Sequence, residues 1–159
     1  MIEPTESDLI ACLGVERWVE DVLARSPYRT AAELLEVAAE KATPLSPREI
    51  DEAISHHPRI GEQPVGSGAS ADFSRSEQAG LGDDDSVLAE QLRAGNAAYE
   101  ERFGRVFVIR AAGRSRAEIL AELERRLDLP NATELETVGE QLREIALLRL
   151  EKLYAKELE

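Results

Sequence analysis

Cysteine is almost missing from this chain: Cys12 is the only one among 159 residues. A single thiol excludes an internal disulfide and a thiolate metal cluster. Histidine is nearly as scarce, with His56 and His57 side by side and no other. Lacking an H-x-x-x-H spacing or a carboxylate cluster beside them, the pair makes no recognisable metal site, so no metal is expected. Apolar runs are short. No window approaches the roughly 18 residues that a spanning helix needs, and the start, Met1-Ile2-Glu3-Pro4-Thr5-Glu6, has neither a basic nor an apolar region. A cytoplasmic protein with no membrane partner is the expectation. Positive charge is in deficit, 19 Lys and Arg against 32 Asp and Glu, a net charge of −13. That field repels nucleic acid and anionic membranes, and an anionic substrate would have to be held by local basic groups. Neither G-x-x-x-x-G-K-[ST] nor G-x-S-x-G occurs, which removes the common P-loop and hydrolase readings.

What is present is helical. Hydrophobic residues make up 43% and aromatics only 4%, so Ala, Leu, Glu and Arg set the local preference. The length suits one domain over residues 1–159 with a proper core. Leu9, Ile10, Leu13, Val19, Val22 and Leu23 recur at helical spacing around Gly14, giving one or two helices that end near Arg25. Capping-box patterns, a hydroxyl residue followed three later by Glu, stand at Thr30, Ser46, Ser74, Ser115 and Thr133 and predict five helix starts. A further helix, capped by Asp85 or Ser86, carries Leu88, Leu92, Tyr99 and Phe103 and stops at Gly104. Residues 61–71 read as a loop. Val106-Phe107-Val108-Ile109 is the one β-prone run, and with no second strand to pair with it reads as an extended segment among helices. The fold class is therefore all-α, a compact bundle of about seven to nine helices with one extended piece near 106–109.

Three residues resist a purely structural account. His57 directly precedes Pro58, which forces extended backbone on it and ends the preceding helix, while Gly61 lets the chain turn again. This fits a helix end with a surface histidine, and it fits a positioned proton donor near neutral pKa. Arg149 lies four after Ile145, seven after Leu142 and four before Leu153, in the middle of the apolar stripe of the last helix. It snorkels or pairs with a buried acid, or it holds a substrate anion in its planar fork. Glu77 belongs to the Ser74 box, but with Gln78 beside it after a Gly/Ser loop it also suits a polar pocket wall.

Three motifs then fall in order: His-Pro-x-Ile-Gly at 57–61, Ser-x-x-Glu-Gln-x-Gly at 74–80 and Arg-Phe-Gly-x-x-Phe-Val-Ile at 102–109. With Leu148-Arg149-Leu150, they resemble the 2-oxo-4-hydroxy-4-carboxy-5-ureidoimidazoline (OHCU) decarboxylases over residues 7 to 153. The resemblance implies an all-α fold, no cofactor, a homodimer, and the step of urate oxidation that yields (S)-allantoin from a ureidoimidazoline substrate. By motif it makes His57 the catalytic histidine, with Glu77 the second candidate for delivering the proton. Pro58, Ser74, Glu77, Gln78, Phe107, Ile109, Gly113 and Arg149 become the substrate contacts. Two positions depart from the family pattern. Arg105-Val106 stands where an aromatic and then a proline are frequent, and Arg59 where an acid often follows His-Pro. A non-catalytic helical interaction module, or a relative acting on another ureide acid, is the alternative.

Overall fold

The structure, a computed structural model, describes residues 1–55 and 86–154. Among these residues are seven helices: α1 (Glu6–Cys12), α2 (Glu16–Ala24), α3 (Ala31–Lys41), α4 (Pro47–Ile54), α5 (Ser86–Phe103), α6 (Arg116–Leu127) and α7 (Asn131–Tyr154). No strand occurs among the described residues; the extended pairing present is one isolated antiparallel bridge between Ile2 and Tyr28. The all-α expectation holds. The 61–71 loop and the helix expected from Ser74 lie outside the described residues.

Local chemistry explains most boundaries. Thr30 caps α3 by accepting from the Glu33 N–H at 3.1 Å. At α4 the Ser46 hydroxyl accepts from the Glu49 N–H at 3.2 Å, and the Glu49 carboxylate accepts from the Ser46 N–H at 2.9 Å. Ser115 and Glu118 close the same reciprocal box on α6. Helix α2 has Val15 at its N-cap and no cap of its own; the Glu52 carboxylate accepts from the Glu16 N–H at 2.9 Å and does that work from α4. Helix α5 stops where Gly104 takes a φ of +71°, a conformation that disfavours any residue with a Cβ.

One helix start differs from expectation. The Thr133 pattern does not open α7, which begins at Asn131, with the Glu134 N–H already bonded to the Pro130 carbonyl at 2.9 Å. Thr133 is an exposed residue of the first turn, and Glu134 is fully buried in an ion pair. Ile10 is also placed differently: it is exposed, because Leu9, Ala11 and Cys12 are the buried residues of α1.

The chain groups into two compact units, one formed by Met1–Ala53 with Gly139 onward, the other falling within Ile54–Val138. In the first, Trp18 is fully buried and donates its indole N–H to the Ala38 carbonyl at 2.9 Å. Arg17 knits α2 to its neighbours, with Glu49 as its ion-pair partner at 2.6 Å, Asp21 at 2.9 Å and the Lys41 carbonyl at 2.8 Å. In the second, Leu92, Tyr99, Phe107, Ile109, Ala111, Ile119 and Leu123 form one buried cluster. Gly95 allows the close approach of α5 to α6: a Cβ there would stand 2.9 Å from Leu123 Cδ2.

Candidate active site

Among the described residues, the second unit carries three of the expected contacts, Phe107, Ile109 and Gly113. After Gly104 the chain runs outside any helix or strand through residues 106–110, so its N–H groups are not committed to a helix or a ladder. Phe107, Val108 and Ile109 are buried in succession, at 1%, 3% and 3% exposure. Consecutive extended residues point to opposite sides, so burial of all three means protein on both faces. Phe107 meets Tyr99 edge-on at a centroid distance of 5.1 Å, and the Arg126 guanidinium covers the Phe107 ring at 4.6 Å. Gly113 ends the segment with a φ of +82°, exposed and with open space where a Cβ would be.

Beneath the segment lies a polar network that sequence reasoning missed. Arg126 and Glu134 are both fully buried. Arg126 Nε and Nη2 donate to the Glu134 carboxylate at 2.8 and 2.5 Å, and Nη1 donates to the Val108 carbonyl at 2.8 Å. The Tyr99 hydroxyl donates to the same carboxylate. Burial, then the Glu134 carboxylate, pushes the Tyr99 hydroxyl well above its ordinary value, so it stays protonated as a donor. A signal for Arg126 existed. It lies seven after Ile119 and three after Leu123, on the apolar stripe of α6.

Arg149 belongs to the other unit and is 3% exposed. The inward placement expected from its position in the stripe is what α7 shows. Its Nη1 donates to the Ala11 carbonyl at 2.9 Å. Ala11 is in the last turn of α1, where carbonyls lack intrahelical partners and the helix dipole is negative, so a guanidinium is well suited there. His57, Pro58, Ser74, Glu77 and Gln78 lie outside the described residues. Phe107 and Ile109 are brought into one cluster. Among the described residues, no group of three or more His, Cys, Asp or Glu side chains is arranged to hold a metal ion. No helix among them is long and apolar enough to cross a membrane.

Comparison with known proteins bears on the whole of this arrangement. Residues 4–151 match the sequence model of the OHCU decarboxylases. The chain is 30% identical over 144 residues to the 2-oxo-4-hydroxy-4-carboxy-5-ureidoimidazoline decarboxylase of Haloferax volcanii, covering 88% of this chain and 83% of that one. It is 37% identical over 108 residues to a bifunctional uric acid degradation protein of Arabidopsis thaliana, covering 65% of this chain and 33% of that protein. A similar bifunctional protein of Bacillus is also spanned over 31% of its length, so the chain corresponds to about a third of these two relatives. Among solved structures, a crystal structure of an OHCU decarboxylase in the presence of (S)-allantoin superposes with a TM-score of 0.79 at 27% identity, covering 95% of this chain and 99% of that one.

Proposed function

The chain belongs to the OHCU decarboxylase family, and from that premise we propose that it converts 2-oxo-4-hydroxy-4-carboxy-5-ureidoimidazoline to (S)-allantoin without a cofactor. The observation that carries this reading is the superposition over 99% of a solved OHCU decarboxylase, with all seven described helices in an all-α fold. The reading has the chain act as one domain over residues 1–159, as a homodimer in the cytoplasm.

The chemistry accounts for the residue types. The substrate carries its carboxylate and a hydroxyl on C4, a tetrahedral carbon next to the ring C5=N bond. Loss of CO₂ leaves an electron pair that delocalises into C5=N and forms a C4=C5 enol, so no external electron sink is needed. Protonation at C5 and loss of the hydroxyl proton then leave the C4 carbonyl of allantoin. The protein has to orient the scissile bond, stabilise the developing oxyanion and deliver a proton to one face. In the proposed arrangement His57 polarises the substrate's hydroxyl or carboxylate and delivers the proton, with Glu77 as the other candidate donor. Glu77 and Gln78 hold the ureido N–H groups, Ser74 is a further substrate contact, and Pro58 lies beside the substrate. The backbone of the Phe107–Ile109 segment, continuing towards Gly113, meets the substrate, and its N–H groups after Phe107 hold ring or ureido oxygens together with Arg149.

The test adds protein dialysed against a chelator to freshly generated urate-oxidation products and follows optical activity. Spontaneous decay gives racemic allantoin, so the expected result is a fast rise in rotation. Racemic product at the background rate would overturn the reading. Activity that returns only with an added divalent ion would overturn its cofactor-free part.

A further inference from the structure

A fully buried ion pair is an expensive way to fill a core. Removing two charges from water costs several kcal/mol per ion, and apolar residues of similar volume often serve stability as well or better. Arg126 and Glu134 nevertheless sit beside a cluster of Leu, Ile, Phe and Ala side chains, both at 0% exposure. Their geometry points to a second task. The guanidinium spends Nε and Nη2 on Glu134 and Nη1 on the Val108 carbonyl at 2.8 Å, while its Cζ lies over the Phe107 ring. The Tyr99 hydroxyl donates to Glu134 Oε2, the oxygen that also accepts from Arg126 Nη2, and the Tyr99 ring meets Phe107 edge-on. The contacts run in a closed circuit, from Phe107 through Arg126, Glu134 and Tyr99 back to Phe107. None of these groups can turn without breaking a contact with the next.

The Val108 carbonyl and the Ile109 N–H belong to one planar peptide unit. In a trans peptide they point in opposite directions. Holding the carbonyl on the Arg126 side therefore fixes the Ile109 N–H on the opposite side. A cationic donor on the carbonyl also draws electron density through the amide and strengthens the N–H as a donor. An ordinary core contact to a side chain would do neither.

We propose that Arg126 is a positioning residue that orients and polarises the Val108–Ile109 peptide, so that the Ile109 N–H is a fixed donor to a substrate oxygen, and that Glu134 and Tyr99 hold Arg126 for this task. The proposal rests on the reading that the 107–113 segment meets the substrate. Arg126 itself touches no substrate. The effect belongs in the rate of the chemical step more than in ground-state binding, because a rigid donor matters most where oxyanion charge develops.

The experiment compares Arg126→Lys, Arg126→Met and Tyr99→Phe with the unaltered chain by steady-state kinetics, thermal melts and the amide proton shift of Ile109 during titration with (S)-allantoin. Arg126→Met should lower kcat by about 10²-fold, the loss typical of one oxyanion donor, with KM changing less than about threefold. Arg126→Lys, which can reach one partner but not both, should recover part of that loss. Tyr99→Phe keeps the ring packing and should lower kcat by about fivefold, one hydrogen bond's worth. The Ile109 amide shift on allantoin binding should be present in the unaltered chain and diminished in Arg126→Met. Folded variants with unchanged kcat and an unchanged Ile109 shift would overturn the proposal. If the Arg126 variants fail to fold, Tyr99→Phe decides alone: the kcat loss supports the proposal, and full activity overturns it. Failure of the decarboxylase reading is separate and visible beforehand, as an unaltered chain without turnover.

Discussion

At the scale of single residues, two buried arginines show how far periodicity reaches. Arg149 stands on the stripe of α7 and is 3% exposed, as its spacing from Leu142 and Ile145 requires. Its spacing did not show that one N–H would cap the carbonyl of Ala11, 138 residues away. That partner is a matter of tertiary placement, which no local pattern encodes. Arg149→Lys separates the two tasks. Lysine keeps a positive charge beside the end of α1 but loses the planar fork that can serve a carbonyl and an anion together. The expected outcome is a melting temperature within a few degrees of the unaltered chain and a kcat/KM reduced by about 10²-fold. Unchanged kcat/KM would make Arg149 a structural arginine only. Arg126 obeys the same spacing rule, but its partner Glu134 stands in the next helix, and no local pattern joins the two.

At the scale of elements, a capping box is legible where the acid reaches back to the N-cap N–H. Glu49 does so to Ser46, while also pairing with Arg17, and Glu118 does so to Ser115, so both boxes close and set the helix starts. Thr133 failed as a start for two reasons. Pro130 already supplies the carbonyl that opens α7, and Glu136, the acid of that pattern, lies exposed within the helix. The consequence is a measurable asymmetry between two superficially similar residues. Ser115→Ala removes an acceptor from the Glu118 N–H and should cost about 1 kcal/mol in chemical denaturation. Thr133→Ala removes no cap and replaces a β-branched residue with a better helix former, so it should fall within about 0.5 kcal/mol of zero or be slightly stabilising. Equal losses at both sites would contradict the assigned start of α7. The extended segment at 106–109 was legible from its β-prone run. Its anchoring was not, because the anchor lies on α6, 18 residues further along.

At the scale of the whole molecule, two electrostatic effects act in opposite directions as pH falls. The net charge of −13 repels itself at neutral pH, and protonation towards the isoelectric point of about 4.7 relieves that strain. Specific carboxylates oppose further acidification. Glu49 is held down to about 2 from an ordinary 4.5, first by its hydrogen bond from Arg17, which outweighs the opposing effect of burial, with Ser46 adding to it. Glu122 is lowered by its hydrogen bond from Arg125, and Glu118 by the Ser115 N–H. Each folded value lies below the unfolded one, so the stability these groups contribute is full above about 4.5 and drains away as pH falls through the folded values. The melting temperature should therefore hold or rise as pH goes from about 7 to about 5, and drop below about 4.5. Glu49→Gln keeps the acceptor for Ser46 and removes the charge facing Arg17. It should lower stability at neutral pH by roughly 1–3 kcal/mol, the range for a charge-assisted hydrogen bond. It should also make the fall below about pH 4.5 shallower, since one of the groups that titrates there is gone. Thermal melts of both proteins across that range check the sign. If the acid limb keeps the same slope in the variant, the Arg17–Glu49 pair is not what acid breaks, and general positive-charge repulsion below the isoelectric point becomes the cause.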